Sequence, residues 1–438
     1  DYDAAIAIAE AVRQRLEPEG RWEIDLRHAL ASAYMNRGNT KQSASGHGPA
    51  AALADYDAAI AIREAVRQRL EPEGRWEIDL RNDLAAAYVN RGNAKQSASD
   101  HGPAAALADY DAAIAIRETV RQRLEPEGRW EDDLRHALAS AYMNRGNTKQ
   151  SASSHGPAAA LDDYDAAIAI AEAVRQRLEP EGRWEIDLRN DLAGAYVNRG
   201  NAKQSASGHG PAAAIADYDA AIAIAEAVRQ RLEPEGRWED DLASVYVNRG
   251  NAKRSASGHG PAAALADYDA AIAIRETVRQ RLEPEGRWEV DLRHALASAY
   301  INRGNAKQSA SGHGPAALAD YDAAIAIREG IRDLLLRFGG EAAWPAWARF
   351  ELAQLYLIRI RLKGARGSVP DQDAVRSIAE GLAATEQQQL ATELLGGLAL
   401  AKLPQPVLWA IERLLRPLAG WIQRLQQRAQ SEVMSWKR

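Results

Sequence analysis

Apolar residues along this chain recur at helical spacing, and the same two polar breaks interrupt them again and again. Between residues 22 and 76, Trp22, Leu26, Leu30, Tyr34 and Gly38 fall four apart with Ala29 and Ala33 beside them. That spacing puts one apolar face on a helix from about Trp22 to Ser43. Gly46-His47-Gly48 breaks it, and Pro49 suits the first position of a second helix, where the N–H it lacks has no partner in any case. Ala52, Tyr56, Ala59, Ile60, Val66 and Leu70 form the stripe of that second helix. Glu71-Pro72-Glu73-Gly74 ends it, because proline removes a donor and clashes with the preceding turn. Each helix has about 20 residues, or ~30 Å, and the short breaks force the two to lie antiparallel.

This helix pair is repeated. Segments opening Asp-Tyr-Asp-Ala-Ala-Ile begin at Asp1, Asp55, Asp109, Asp163, Asp217, Asp267 and Asp320, with four steps of 54 residues, one of 50 and one of 53. A unit of this size is larger than a loop and smaller than a domain, and such self-similarity marks a solenoid whose units bury their apolar faces only by stacking on neighbours. Function is therefore expected on a repeated surface. The shortened copy around Asp240, Leu242 and Tyr246 lacks four residues, close to one helical turn, so its first helix is expected to start one turn late with its packed face unrotated.

The string Ala33-Tyr34-Met35-Asn36-Arg37-Gly38-Asn39, followed by Ala52-Leu53-Ala54-Asp55-Tyr56-Asp57-Ala58-Ala59-Ile60, resembles the tetratricopeptide repeat. In that family an aromatic residue opens the signature of the first helix (helix A), a small residue follows one turn later, and the second helix (helix B) carries small-x-x-x-aromatic-x-x-small. Tyr34, Gly38, Ala52, Tyr56 and Ala59 fill those roles, and the string recurs around Tyr88, Tyr142, Tyr196, Tyr246 and Tyr300. The resemblance implies an all-α, right-handed superhelical solenoid of antiparallel helix pairs over residues 1–338. Residues 339–438 then form a divergent repeat and C-terminal capping helices. The family unit has about 34 residues, so about 20 are extra here and lengthen both helices and the Ser-Ala-Ser-Gly-His-Gly-Pro turn. Gly38, Ala52 and Ala59 let helices approach closely, and Tyr34 and Tyr56 fill the space that remains.

Composition narrows the function classes. A net charge of −6, with Lys and Arg mixed among acids, gives no electrostatic reason to expect nucleic acid. There is no cysteine, which excludes disulfides and thiolate metal sites; the compartment stays open, with the cytoplasm favoured. No run approaches the ~20 apolar residues of a membrane span. The chain opens at Asp1 without a methionine and inside a repeat, as a fragment or processed product would. His47, His101, His155, His209, His259 and His313 recur once per repeat, too far apart to share one zinc, and no cofactor is expected. Asp55 and Asp57 flank Tyr56 and are expected to be solvated, with arginines of the next unit as possible partners. Nothing in the repeats forms a unique catalytic constellation, so no enzymatic activity is expected.

Differences between copies fall on one face of helix A. Ile24 becomes Asp132 or Val290, His28 becomes Asn82 or Asn190, Ser32 becomes Ala86 or Gly194, and Met35 becomes Val89 or Ile301. Continued along the helix, that face meets Asn39 and Gln42. In tetratricopeptide proteins it lines the concave groove where peptides dock; drift of an exposed face is the alternative. Helix B offers less variation, since its outer face is expected to be invariant apart from the Ala9/Arg63 alternation and Ala11/Thr119.

One asparagine per repeat, Asn36, Asn90, Asn144, Asn198, Asn248 and Asn302, offers both a donor and an acceptor to an extended backbone. This is similar to the asparagine ladder in the peptide-binding repeats of O-GlcNAc transferase. The second row, Asn39, Asn93, Asn147, Asn201, Asn251 and Asn305, falls where carboxylate-clamp adaptors use asparagine. Those adaptors also need a lysine where this chain has Met35, Val89 or Ile301, so a carboxylate clamp is not expected. The candidate peptide-binding set is these two rows with His28 and Met35; the other reading is that the amides bridge neighbouring repeats. A non-catalytic scaffold for a peptide or partner protein leads. A self-assembling solenoid and the recruiting arm of an absent enzyme are the alternatives.

Beyond Phe338, Leu352, Leu355, Tyr356 and Ile360 keep helix A spacing, but Ile358 and Arg361 replace the groove signature. A helix B relic is expected over Pro370 to Ala384, with apolar helices at about Glu386–Leu403 and Gln405–Val433, the latter carrying Trp409 and Trp421. Open solenoids need a cap; homo-oligomer formation through these helices or the N-terminal end, and docking to a missing domain, are the alternatives.

Overall fold

The structure, a computed structural model, describes residues 2–43, 48–98, 102–152, 155–229, 237–310, 314–340, 343–363, 369–384 and 387–401. The chain divides into two compact units, Asp1–Gly260 and Pro261–Arg438. The first holds α1 (Tyr2–Leu16), α2 (Ile24–Ser43), α3 (Gly48–Leu70), α4 (Ile78–Ser97), α5 (Gly102–Leu124), α6 (Asp132–Ser151), α7 (Pro157–Leu178), α8 (Ile186–Ser205), α9 (Pro211–Arg229) and α10 (Arg237–Ser255). The second holds α11 (Pro261–Leu282), α12 (Val290–Ser309), α13 (Gly314–Gly339), α14 (Ala346–Lys363), α15 (Val369–Ala384) and α16 (Gln388–Ala401). No strand occurs among the described residues. Within each unit every helix packs on the next in chain order, and in the first unit α2, α4, α6, α8 and α10 also touch one another in succession. Even-numbered helices through α14 are thus the A helices and odd-numbered ones the B helices.

A tyrosine seated on a glycine joins the α2–α3, α4–α5, α6–α7, α8–α9 and α12–α13 pairs. Tyr56, Tyr110, Tyr164, Tyr218, Tyr268 and Tyr321 are fully buried on the B helices. A Cβ placed on Gly92 would lie 2.8 Å from Cε1 of Tyr110, and one on Gly38 would lie 2.7 Å from Cε1 of Tyr56. Glycine inside a helix costs about 1 kcal/mol against alanine; here the missing side chain is what lets the ring lie against the backbone of helix A. Ala52, Ala59, Ala106 and Ala113, all fully buried, permit the same approach from helix B.

At Trp22, Trp76, Trp130, Trp184 and Trp288 the far end of the pair is closed by a turn that runs into a buried tryptophan. Glu71 N–H still bonds Arg67 O at 2.8 Å, so Pro72 is not the first break. The helix ends where Gly74 adopts φ +69°, with Gly74 N donating to Glu71 O at 3.1 Å and Arg75 N to Leu70 O at 3.0 Å. Trp76, 3% exposed, then lies between the guanidinium groups of Arg67 and Arg81, 5.0 and 4.1 Å from the ring centroid. Arg81 Nε also donates to Trp76 O at 2.9 Å. These tryptophans precede helix A instead of opening it: α2 begins at Ile24, two residues after Trp22.

One expectation changes in detail. The shortened copy does not lose a turn, because α10 runs back to Arg237 and keeps 19 residues against 20 in α8. Its packed face is unrotated, since Leu242 and Ala243 are buried and Tyr246 donates to Glu226 as Tyr196 does to Glu172. In the second unit α16 packs on α14 and α15 through buried Ala391, Leu394 and Leu398. The expected helix over Gln405–Val433, with Trp409 and Trp421, lies outside the described residues.

Gly92→Leu should drive the α4–α5 contact apart and cost about 1–3 kcal/mol through overpacking. Pairing it with Tyr110→Ala should recover part of that loss. Chemical denaturation of both single variants and the double variant measures the coupling, and strict additivity would show that ring and glycine do not depend on each other.

Candidate functional site

One guanidinium per repeat sets how each A helix presents itself. Arg91 on α4 donates through Nη2 and Nε to Asp109 on α5, at 2.5 and 3.0 Å, and through Nη1 to Asp57 on α3 at 2.8 Å. Lys95 reaches the same Asp109 at 2.9 Å. The fork geometry of arginine allows one group to grip two carboxylates on different helices. Arg91 also lies over the half-buried ring of Tyr88, 5.4 Å from its centroid, and Tyr88 OH donates to Glu64 on α3 at 2.8 Å. Arg37, Arg145, Arg199 and Arg303 repeat the double grip, and Arg359 in the divergent pair makes it with Asp322 and Asp371. The expectation that Asp55 is solvated is therefore corrected: it is 2% exposed and held by Arg37 of its own repeat and by Lys41. Asp57 does reach the arginine of the next repeat. Two residues apart on a helix, the carboxylates point about 200° apart, so they cannot share an environment.

The clamp leaves the opposite side of helix A to the asparagines. The second row is tied to the fold, because Oδ1 of Asn39, Asn93, Asn147, Asn201 and Asn305 receives the hydroxyl of Tyr56, Tyr110, Tyr164, Tyr218 and Tyr321 at 2.7–2.9 Å. The first row crosses between repeats in at least two places. Asn90 Nδ2 donates to Asn39 Oδ1 at 3.2 Å, and Asn198 Nδ2 to Asn147 Oδ1 at 3.1 Å. Asn36 is exposed, while Asn90, Asn144, Asn198, Asn248 and Asn302 are half-buried, as are Asn251 and the rest of the second row beyond exposed Asn39. His28 Nδ1 lies 3.3 Å from Asp83 of the next repeat, and His136 repeats this with Asp191 at 3.4 Å. Met35 is buried at 7% exposure in the core, whereas its counterparts Val89, Met143, Val197 and Ile301 are half-buried.

Two cavities open on this face of the first unit, on either side of α8. One of about 230 Å³ lies among α6, α7 and α8, with Ile170, Val174 and Trp184 below and His136, Asn190 and Asp191 at its rim. The other, of about 370 Å³, lies among α8, α9 and α10, lined by Ala225, Val228, Asp241 and Asn248 among others. Asn190 and Gly194 border both. His136, Ser140, Met143 and Gly194, at the positions where copies differ, all line the first cavity. Asp191, Asp241, Ala171 and Ala225 were not singled out from the sequence. The signal was the Ala9/Arg63 alternation, which had been placed on the outer face of helix B. The structure corrects that placement: Arg117 and Arg275, at that position, are 9% and 7% exposed and turn inward against the next A helix.

Other chemistry is sparse. His155, His209 and His259 are exposed on their turns, and no group of three His, Asp or Glu converges among the described residues. Nor is any described helix long and apolar enough to cross a membrane.

The chain is a helical-repeat protein. No protein-family model matches it, and no curated protein matches it. Among solved structures it is similar to a Rap protein crystallised in complex with competence and sporulation factor, at 15% identity and a TM-score of 0.32, over 91% of this chain and 93% of that one.

Burial alone would push the Asp55 carboxyl up, but the Arg37 and Lys41 hydrogen bonds outweigh it and hold it below the usual range. Its stabilising contribution is complete above the unfolded value of about 3.9 and is lost as pH falls through the lower folded value. Thermal melts from pH 6 to pH 2 should therefore show stability falling on the acid side of about pH 4. Arg37→Met should lower stability at neutral pH by on the order of 3 kcal/mol and flatten this acid limb. Identical limbs in the two proteins would locate the acid sensitivity elsewhere.

Proposed function

We propose that the asparagine-bearing face of the A helices is a binding surface for an extended peptide or a segment of a partner protein, and that the chain is a non-catalytic scaffold of the tetratricopeptide kind with a lengthened unit. The observation that carries this reading is the coincidence of three features on one face. The residues that differ between copies, the row of half-buried amides and the two cavities beside α8 all occur there. Drift alone accounts for variable residues but not for cavities beneath them. The A helices of each unit supply this face, and α16, packed on α14 and α15, is the last described helix of the second unit.

Asn36, Asn90, Asn144, Asn198, Asn248 and Asn302 are the proposed ladder. Asn39 and its equivalents act through it, since their oxygens are already engaged by tyrosine hydroxyls and by Asn90 or Asn198. An amide that donates to a neighbour keeps its carbonyl oxygen and second N–H for a bound backbone. His28 and its counterpart His136 border the face, and Met35 supports it from below.

Changing Asn144, Asn198 and Asn248 together to alanine should remove several backbone hydrogen bonds, each worth about 0.5–1.5 kcal/mol. Affinity for a peptide selected on the wild-type chain from a displayed random library should fall about tenfold or more, with no greater loss of melting temperature than the single Asn198–Asn147 bond accounts for. A large loss of melting temperature with unchanged affinity would make the amides architectural and remove the ladder.

A further inference from the structure

One helix B position alternates between arginine and alanine: Ala9, Arg63, Arg117, Ala171, Ala225, Arg275 and Arg328. Where it is arginine, the side chain crosses to the next A helix. Arg63, Arg117 and Arg275 donate Nη1 to the backbone carbonyls of Asp83, Ala137 and Ala295 at 2.9, 2.8 and 2.9 Å. Where it is Ala171 or Ala225, the side chain stops at Cβ, and these two alanines line the two cavities flanking α8. Each cavity lies where a sister repeat keeps a guanidinium.

The walls differ in charge as well as in space. Asp191 lines the first cavity and Asp241 the second, both at the position of Asp83. In its own repeat Asp83 has Arg63 Nη2 3.9 Å away. Arg117 shows what a guanidinium tolerates in such a place without a carboxylate. Its Nε finds no partner, as that of Arg63 finds none either, but burial alone pushes its pKa down to about 10, whereas Asp83 opposes that effect at Arg63. Asp191, which also faces His136 at 3.4 Å, and Asp241 place a carboxylate at the rim of each cavity, and this favours a cation there as Asp83 does beside Arg63.

From this complementarity we infer that the Ala171 and Ala225 cavities are receiving pockets for arginine side chains of the bound segment, each guanidinium taking the place of the chain's own arginine. The aliphatic stem packs on Ile170 and Val174, while the head meets the Asp191 carboxylate and the main-chain carbonyl equivalent to that used by Arg117. This specificity rests on the peptide-binding reading of the face, but the pockets can be tested without any peptide.

Calorimetric titration of the full chain with N-acetyl-arginine amide should show binding. The neutral isostere N-acetyl-citrulline amide should bind about tenfold or more weakly, and N-acetyl-leucine amide should not compete. The Ala171→Arg/Ala225→Arg variant rebuilds what Arg117 does in its own repeat, so it should melt no lower than wild type and lose the arginine probe by about tenfold or more. A second variant, Asp191→Asn/Asp241→Asn, changes the rim and should abolish the preference for arginine over citrulline. Equal binding of all three probes, no binding of any, or an unchanged arginine preference in the Asp→Asn variant would overturn the inference. Probe binding together with an unaffected asparagine triple variant would keep the pockets and reject the ladder; a working ladder with no arginine preference would do the reverse.

Discussion

The arrangement of this chain depends on a guanidinium that grips two carboxylates on two different helices. Arg91 joins α4 both to its own partner α5, through Asp109, and to the preceding α3, through Asp57. Hydrophobic burial supplies attraction but little direction. The planar fork supplies direction, because moving either B helix breaks a charge-assisted bond that the buried Asp109 cannot replace with water. Tyr88 beneath the guanidinium and Lys95 beside the carboxylate narrow the geometry further. The clamp accounts for the identity of so many positions from copy to copy: Arg, both Asp residues, Tyr and Lys form one connected network, and a change in one strands the others.

With one side of helix A committed to the clamp, sequence freedom is displaced to the other side. His28, Ser32 and Met35 vary there, and the arginine-to-alanine exchange on helix B opens space beneath them at Ala171 and Ala225. Architecture and sequence variation are thus divided between the two sides of the same helix. The division is incomplete at the asparagines, whose oxygens also receive the tyrosine hydroxyls.

Much of the fold was legible because its determinants are local. Gly38, Tyr56 and the small residues around them have spacings that only a close-packed helix pair satisfies, and helix ends fell within two residues of those read from the Gly-His-Gly-Pro and Glu-Pro-Glu-Gly breaks. What was not legible depended on which of two adjacent directions a side chain takes. Asp55 and Asp57 look alike in sequence, yet one is buried and the other exposed, because the partner that decides it is 18 residues upstream. Met35 belongs to the variable set by spacing, but it closes the first repeat where Met143 lines a cavity. The cavities were invisible for a similar reason. An alanine in place of arginine reads as surface drift until the arginines of sister repeats are seen pointing inward.

The four residues that this copy lacks between Trp238 and Ala243, inside the stretch that forms α10, are lost without disturbing the contacts that follow. Tyr246 meets Glu226, and Arg249 meets Asp219, at separations of 20 and 30 residues where the other repeats use 24 and 34. The first turns of helix A are therefore a length buffer, N-terminal to the residues that orient the helices, because four residues are close to one helical turn and their loss leaves the packed face where it was. A lineage carrying this gene can gain or lose about one helical turn at the start of helix A while every clamp stays in register. A two-residue insertion between the Tyr88 and Arg91 positions would instead turn the guanidinium by about 200°, away from both of its carboxylates. An array built this way can be shortened by a turn without being refolded.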